Sequence, residues 1–408
     1  MVIVGFDWAR DKHDVCIMDA SGRVLHAGTV RHEAVALDEL AARIDALEPE
    51  REAVHAGIEQ HDGALLAWLL DCGFTVYGLN PKSTDHARDI YRPAGGKDDR
   101  VDARLVADVL RQNLARFKPM HPQSDETLHL RSLARLRMRL TSRKTALMQT
   151  LRGLLAEWCP EVSRLCGNLN SIWQRDLLRE WPLHEDLRAA HGNRVNHFLA
   201  QHRLAKATRE KLAAVRAAKP VGIPEGRKRA LRFEIRLLIE EIDLLADRIS
   251  ELARELEEAL VSHPSFNVFH SLPVKGVQTI SMLAAAFGDR RSDPTDWRKL
   301  ASRWGVAPVT YQSGKSRSVR RRRACDSHVL QALSDLAFTT AFSVAGCWAR
   351  SFYHRKRTEG KDHYEALRAV ALRWVKIMWA MWNGNRLYDE DYHRERKQHG
   401  HADFTASA

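Results

Sequence analysis

Paired cysteines are missing from this sequence. Its six, Cys16, Cys72, Cys159, Cys166, Cys325 and Cys347, are scattered without a C-x-x-C pair. Neither a disulfide framework nor a zinc site is indicated, and a reducing, cytoplasmic setting is expected. Long apolar runs are missing too. The most apolar late stretch, residues 370–382, is interrupted by Arg373 and Lys376 and is too short to span a bilayer. Residues 1–7 read as a strand ending in an acid, not as the charged, apolar and small-residue succession of a signal peptide. No membrane partner is expected. Acid is in deficit, with 52 Asp and Glu against 64 Lys and Arg, and the resulting charge of +12 favours a polyanionic partner. No internal repeat is present.

What is there changes character along the chain. The 408 residues are enough for two domains and a connector. Residues 2–6, 13–18 and 23–30 are short β-rich runs that fit a meander, followed by helical spacing over 34–47. Residues 53–59 and 74–79 read as strands, 64–71 and 99–112 as helices, and Pro81 opens a further helical stretch. The order β-β-β-α-β-α-β-α is that of an RNase H-like mixed sheet over residues 1–115.

Residues 128–155 and 231–256 then turn helical and highly charged. In the second, Leu231, Ile235, Leu238, Ile242, Leu245, Ile249, Leu252 and Leu256 step four, three, four, three. That is a heptad seam, so residues 125–260 are expected to form a coiled-coil connector, paired within the chain or between subunits of a homo-oligomer. Between these helices, residues 159–220 give no clear pattern. Residues 265–390 read as a mostly helical C-terminal domain broken by one basic loop, and residues 391–408 as a disordered tail.

Four acids stand where chemistry is expected. Asp7 and Glu59 end the first strand and the strand over 53–59, which are neighbours in an RNase H-like sheet. Asp99 and Asp102, three apart in a helix's first turn, share one face. Each alone fits a turn or a helix start, where carboxylates suit the dipole. Four converging oxygen donors repel one another unless cations lie between them, and magnesium or manganese does this at phosphoryl-transfer sites.

The segments Gly5-Phe6-Asp7-Trp8-Ala9-Arg10 and Gly57-Ile58-Glu59, the pair Asn80-Pro81, and Lys97-Asp98-Asp99-Arg100-Val101-Asp102-Ala103 resemble the successive motifs of the DEDD transposases, the bacterial insertion-sequence 110 family. The family's last motif assigns its acids to Asp99 and Asp102 and leaves Asp98 as the variable position and alternate ligand. Arg10 replaces a usual Lys, and Gln60-His61-Asp62-Gly63 replaces a commoner small-hydroxyl and Gly pair. In the second half, Gly305-Val306-Ala307-Pro308, Gln312-Ser313-Gly314, Tyr353, Gly360-Lys361 and Tyr388 resemble the family's other signature, so the likeness covers residues 1–115 and 265–390. Leu272-Pro273-Val274-Lys275-Gly276-Val277 resembles half of a helix-hairpin-helix with one glycine lost.

The resemblance implies a RuvC-like domain that holds divalent metal on Asp7, Glu59, Asp99 and Asp102, with Ser313 as a nucleophile joined transiently to a DNA phosphate. It also implies a structured guide RNA that selects DNA by base pairing. By residue type alone Ser313 fits a turn, with Ser316 and Ser318 as alternates. Lys315, Arg317, Arg320, Arg321, Arg322 and Arg323 place six cations within nine residues, a density suited to phosphates. An acid cluster on one domain and a serine on another lead to the expectation of a composite active site, within one chain or across subunits. A site-specific invertase shares these motifs. A RuvC-like Holliday-junction nuclease would need no serine, and a DNA-bridging protein would need no intact acids. The recurring aromatics Trp348, Phe352, Trp374, Trp379 and Trp382 are expected in the core.

Overall fold

The structure is a computed structural model that describes residues 1–59, 63–80, 84, 99–291, 296–313 and 316–392; of Asp99, Arg100, Val101, Arg317 and Arg321 it describes the backbone alone. The helix expected from Pro81 and most of the expected tail lie outside the described residues. The chain divides into two compact units, Met1–Gln123 and Ser124–Ala408.

The first unit is built on a five-stranded sheet in the order β3-β2-β1-β4-β5. Strands β1 (Val2–Asp7), β2 (Lys12–Asp19) and β3 (Val24–Arg31) form an antiparallel meander, and β4 (Val54–Ile58) and β5 (Thr75–Gly78) continue it parallel to β1. This mixed five-stranded arrangement is the RNase H-like one. Strands β1 and β4 are apolar on both faces because both are covered, whereas β3, at the edge, alternates between partly and fully exposed residues. One face packs on helices α1 (Ala34–Leu47) and α2 (Ala64–Asp71) through Val2, Val4, Phe6, Val15 and Ile17. The other packs on α3 (Asp99–Asn113) through Ile3, Cys16, Met18 and Leu79.

The second unit grows from a helical hairpin, α4 (Asp125–Trp158) and α10 (Glu225–Ser262). Ser124 caps α4 by accepting from the Thr127 amide at 3.2 Å, and Asp125 and Glu126 fill the first turn. Leu130 and Ala134 share a core with Leu256 and Leu260, while Met148, Leu151 and Leu155 share another with Leu231, Ile235, Ile239 and Ile242. The two helices are therefore antiparallel. The heptad seam is met by α4 of the same chain, which is the internal form of the coiled coil; Leu238 and Leu252 are half-buried, and Ile239 and Leu260 join the seam.

The stretch without a clear sequence pattern is five short helices, α5 (Pro160–Leu165), α6 (Ile172–Glu180), α7 (His184–Ala189), α8 (Gly192–Gln201) and α9 (Lys206–Ala217), packed over the far end of the hairpin. At the near end, α11 (Phe266–His270), α12 (Val277–Phe287), α13 (Trp297–Arg303), α14 (Ser327–Phe342), α15 (Trp348–Thr358) and α16 (His363–Asn383) enclose a core with Trp304, Trp348, Trp374 and Trp382. Two of the buried indole nitrogens are satisfied there: Trp374 donates to Thr340 Oγ1 at 3.0 Å and Trp382 to the Gly288 carbonyl at 2.9 Å.

The expected basic loop is instead a β-hairpin, β6 (Pro308–Ser313) and β7 (Ser316–Arg321). Its alternation is masked in the sequence because arginine occupies positions where a strand would show apolar residues. No helix among the described residues is long and apolar enough to cross a membrane, and all six cysteines are free thiols.

Candidate active site

Strand register assembles the acids. Strands β1 and β4 pair in parallel with Phe6 opposite Ile58, so the next residues, Asp7 and Glu59, leave the two strands side by side. Gly5 lies directly beneath α3, where an added Cβ would run into the Ala103 carbonyl and the Ala107 backbone nitrogen. Alternation then turns Ile3, Gly5 and Asp7 toward α3. Because Ala103 of α3 covers Gly5, the helix presents its N-terminal turn, with Asp102 and the start at Asp99, at the end of β1 that carries Asp7. Asp102 is buried, at 8% exposure, and Asp7 and Glu59 are half-buried. The partial positive charge of a helix N-terminus favours carboxylates there. The side chain of Asp99 and all of Asp98 lie outside the described residues.

Two residues that the sequence did not single out belong to this region. Asp14 pairs directly with Asp7 across β1 and β2, so its side chain shares the α3 face. It is buried at 8% exposure and accepts from Thr29 Oγ1 at 2.6 Å. Thr84, also buried, donates its hydroxyl to Glu59 Oε1. On the opposite face, His13 Nε2 meets His32 Nδ1 at 2.8 Å. Burial, and then the neighbouring His32, push the His13 imidazole down to about 4.

Among the described residues, no group of three or more His, Cys, Asp or Glu side chains is disposed to hold a metal ion. The donor set nevertheless has the right chemistry for one: carboxylate oxygens, hard ligands suited to magnesium or manganese. Asp99, the fourth expected acid, is the first residue of α3.

The serine sits apart in the sequence, on the second unit. Ser313 is the last residue of β6 and pairs with Ser316, the first of β7. Gly314 and Lys315 between them lie outside the described residues, as do the side chains of Arg317 and Arg321. Ser313 and Ser316 are exposed and Ser318 is half-buried. Around them Tyr311 and Val319 are each 54% exposed, and the Arg320 guanidinium lies over the Tyr311 ring at 5.4 Å. Arg322 is half-buried and Arg323 is exposed.

The hairpin's root is firm. Gly305 adopts φ +74°, a left-handed conformation that favours glycine, and a Cβ there would come within 2.6 Å of Cys325 Sγ. After β7, Asp326 caps α14 by accepting from the His328 and Val329 amides, and it pairs with Arg135 of α4 at 3.2 Å. The signature Gly305-Val306-Ala307-Pro308 is thus the turn that launches β6.

Other motif residues have packing roles. Tyr353 shares a 2.7 Å hydrogen bond with His363 Nδ1, and Tyr388 donates to Glu390 Oε2 at 2.5 Å while Glu390 accepts from the Trp348 amide at 2.8 Å. Burial and Glu390 push the Tyr388 phenol above its usual range. Gly276, N-cap of α12, has an ordinary φ of −73° and room for a Cβ, so the half helix-hairpin-helix makes no special demand there.

Residues 4–160 match a transposase family model of the DEDD type of IS110, and residues 267–354 match the model of the transposase IS116/IS110/IS902 family. The chain belongs to the IS110 family of transposases. The protein of insertion element IS116 from Streptomyces clavuligerus is 28% identical over 94% of this chain and 95% of its own length. That of insertion element IS900 from Mycobacterium paratuberculosis is 28% identical over 95% of this chain and 97% of its own. A solved chain, T. thermophilus RuvC in complex with Holliday junction substrate, aligns with 29% of this transposase and 99% of itself, at 19% identity and a TM-score of 0.23. The fold assignment rests on the strand order instead. As an IS110 transposase the chain is a DNA-cutting enzyme.

Proposed function

We propose that this transposase cuts and rejoins DNA with divalent metal held by Asp7, Glu59, Asp99 and Asp102 and with Ser313 as nucleophile. The observation that carries the reading is the register that brings Asp7 beside Glu59 under the end of α3 that holds Asp102. Magnesium or manganese, when bound, supplies positive charge against the carboxylates and the phosphate. The protein's own part is to fix the oxygens: strand ends hold Asp7 and Glu59, Thr84 holds one Glu59 oxygen, and the helix start holds Asp102.

Ser313, exposed at the end of β6, is open to a DNA phosphate. Its Oγ forms an ester to phosphorus as the strand's hydroxyl leaves, so the phosphodiester energy is kept and a second DNA hydroxyl can reverse the step on a new partner. Lys315, Arg317, Arg320, Arg321, Arg322 and Arg323 supply the cations for the backbone. A structured guide RNA is the proposed means of choosing DNA; the family likeness and the excess of basic residues support it.

Two variants test this. Ser313→Ala should lose both the protein–DNA adduct on denaturing gels and strand exchange, while keeping most DNA affinity. Asp102→Asn should lose metal-dependent cleavage, at least about 100-fold, with the chain still folded. Full recombination by Ser313→Ala with no adduct would return the water-using nuclease. Sequencing nucleic acid bound to the purified protein tests the guide: a discrete structured RNA supports it, and its absence favours an invertase acting on fixed sites.

A further inference from the structure

One row of side chains crosses the sheet at the acids. Thr29 of β3 pairs with Asp14 of β2, and Asp14 pairs with Asp7 of β1. Gly57 of β4 lies against α3, where an added Cβ would meet Val106 and Leu110, so Glu59, two residues on, leaves β4 toward the same face. Four adjacent strands thus set Thr29, Asp14, Asp7 and Glu59 side by side on the face that α3 covers. Of these three acids, Asp14 alone lies outside the DEDD set.

The surroundings of Asp14 do not suit a packing role. Carboxylates directly opposed across a strand pair repel, with their Cβ atoms about 5 Å apart. Asp14 is buried, and buried charges are held by cations or metals, yet among the described residues no Lys or Arg pairs with it. The 2.6 Å hydrogen bond it accepts from Thr29 Oγ1 does not need the charge, because an asparagine oxygen would accept it as well. Nor does Thr29 need that bond: it is exposed on the edge strand, where water can serve its hydroxyl. The bond therefore fixes Asp14 and not Thr29. A fixed, buried carboxylate that faces Asp7 without a cation of its own is arranged for a cation that Asp7 holds.

We propose that Asp14 is a positioning residue of the metal site, a fifth carboxylate that accepts hydrogen bonds from water on the ion beside Asp7 and adds its charge to the site. Magnesium dehydrates reluctantly and keeps several of its waters, which need acceptors. An ionised Asp is an acceptor only, and such outer partners set much of a site's affinity. Thr29 in turn holds Asp14. The inference rests on the reading above in which Asp7, Glu59, Asp99 and Asp102 hold divalent metal.

The test uses the full chain, freed of nucleic acid and titrated with manganese(II), with the free ion followed by electron paramagnetic resonance; thermal melting is recorded separately in EDTA. Asp14→Asn keeps the acceptor for Thr29 and removes the charge. It should weaken manganese binding about tenfold, and Asp102→Asn should weaken it at least as much. In EDTA, Asp14→Asn should melt about 2 °C above the wild type, since the repulsion with Asp7 is gone. A lower melting temperature with unchanged manganese affinity would make Asp14 a structural partner of Thr29 and overturn the proposal. Unchanged binding in Asp14→Asn beside a loss in Asp102→Asn would overturn it too, while leaving the four-acid reading in place. No manganese binding by the wild type would overturn both.

Discussion

Asp7, Asp14 and Glu59 stand on or directly after strands that are covered on both faces, while Ser313 ends a two-stranded ribbon whose described side chains are almost all exposed. The acids are placed by the sheet: neighbouring strands fix their spacing, and a buried glycine brings the helix backbone down onto them. The serine is placed only at its root, by the Gly305 turn and the Asp326 cap. On the proposed reading, with the acids holding metal and Ser313 as nucleophile, physical demand explains the contrast. Carboxylates that must share a cation repel until it arrives, so the scaffold has to hold them together. A nucleophile has to reach a phosphate on a polymer that no pocket can enclose, and an isolated hairpin, marginal in stability by itself, serves reach better than rigidity.

The contrast can be broken most sharply at Gly5. Gly5→Ala drives a methyl group into the Ala103 and Ala107 backbone, which cannot step aside, and should destabilise the first unit by about 3 kcal/mol or more in denaturant melts. An unchanged midpoint would show that the sheet does not hold α3 as tightly as argued.

Acid should loosen the same region. The His13 imidazole is held neutral down to about 4, below its ordinary 6.5, so between those values the unfolded chain takes up a proton that the folded chain refuses. Stability therefore falls as pH drops from 6.5 toward 4, by up to about 3 kcal/mol, and this contribution is flat outside that window. His13→Gln should remove that part of the slope; identical slopes would reject the assignment.

A smaller effect is expected at Thr84. Removing its hydroxyl in Thr84→Val should raise the magnesium needed for half-maximal cleavage roughly tenfold with the maximal rate little changed. Loss of rate without a change in the metal requirement would make Thr84 a packing residue. The smallest belongs to the ribbon: Val319→Ser should change stability by less than about 0.5 kcal/mol, since the side chain is 54% exposed. A large loss there would mean the hairpin is buttressed more than its exposure indicates.

The sequence exposes the first unit well because its elements follow simple periods. The expected helices at 34–47 and 64–71 have the observed bounds, and each strand lies within two residues of its expected position at either end. Asp14 escaped because a carboxylate beside His13 inside a strand gives no sign of its partner until the register pairs it with Asp7. Thr84 escaped because nothing in its neighbours links it to Glu59. Residues 159–220 were illegible because helices of six to twelve residues complete too few turns for a period to emerge. The hairpin was hidden by arginines on alternate positions, although Gly314-Lys315 between Val309, Thr310 and Val319 is a short-turn signal. The heptad was plain, but a seam records only that a helix is met, and α4 of the same chain meets it.

The hairpin of α4 and α10 is also a lever. Its near end is clamped in the C-terminal core, where Thr127 meets His263 Nε2 at 2.9 Å, and its far end carries the five short helices in a core of their own. A helix of 34 residues is about 51 Å long, so a tilt of about 5° at the clamp carries the far cluster through about 4 Å. A distortion too small to break a hydrogen bond at the fulcrum therefore becomes, at the tip, a displacement longer than a hydrogen bond.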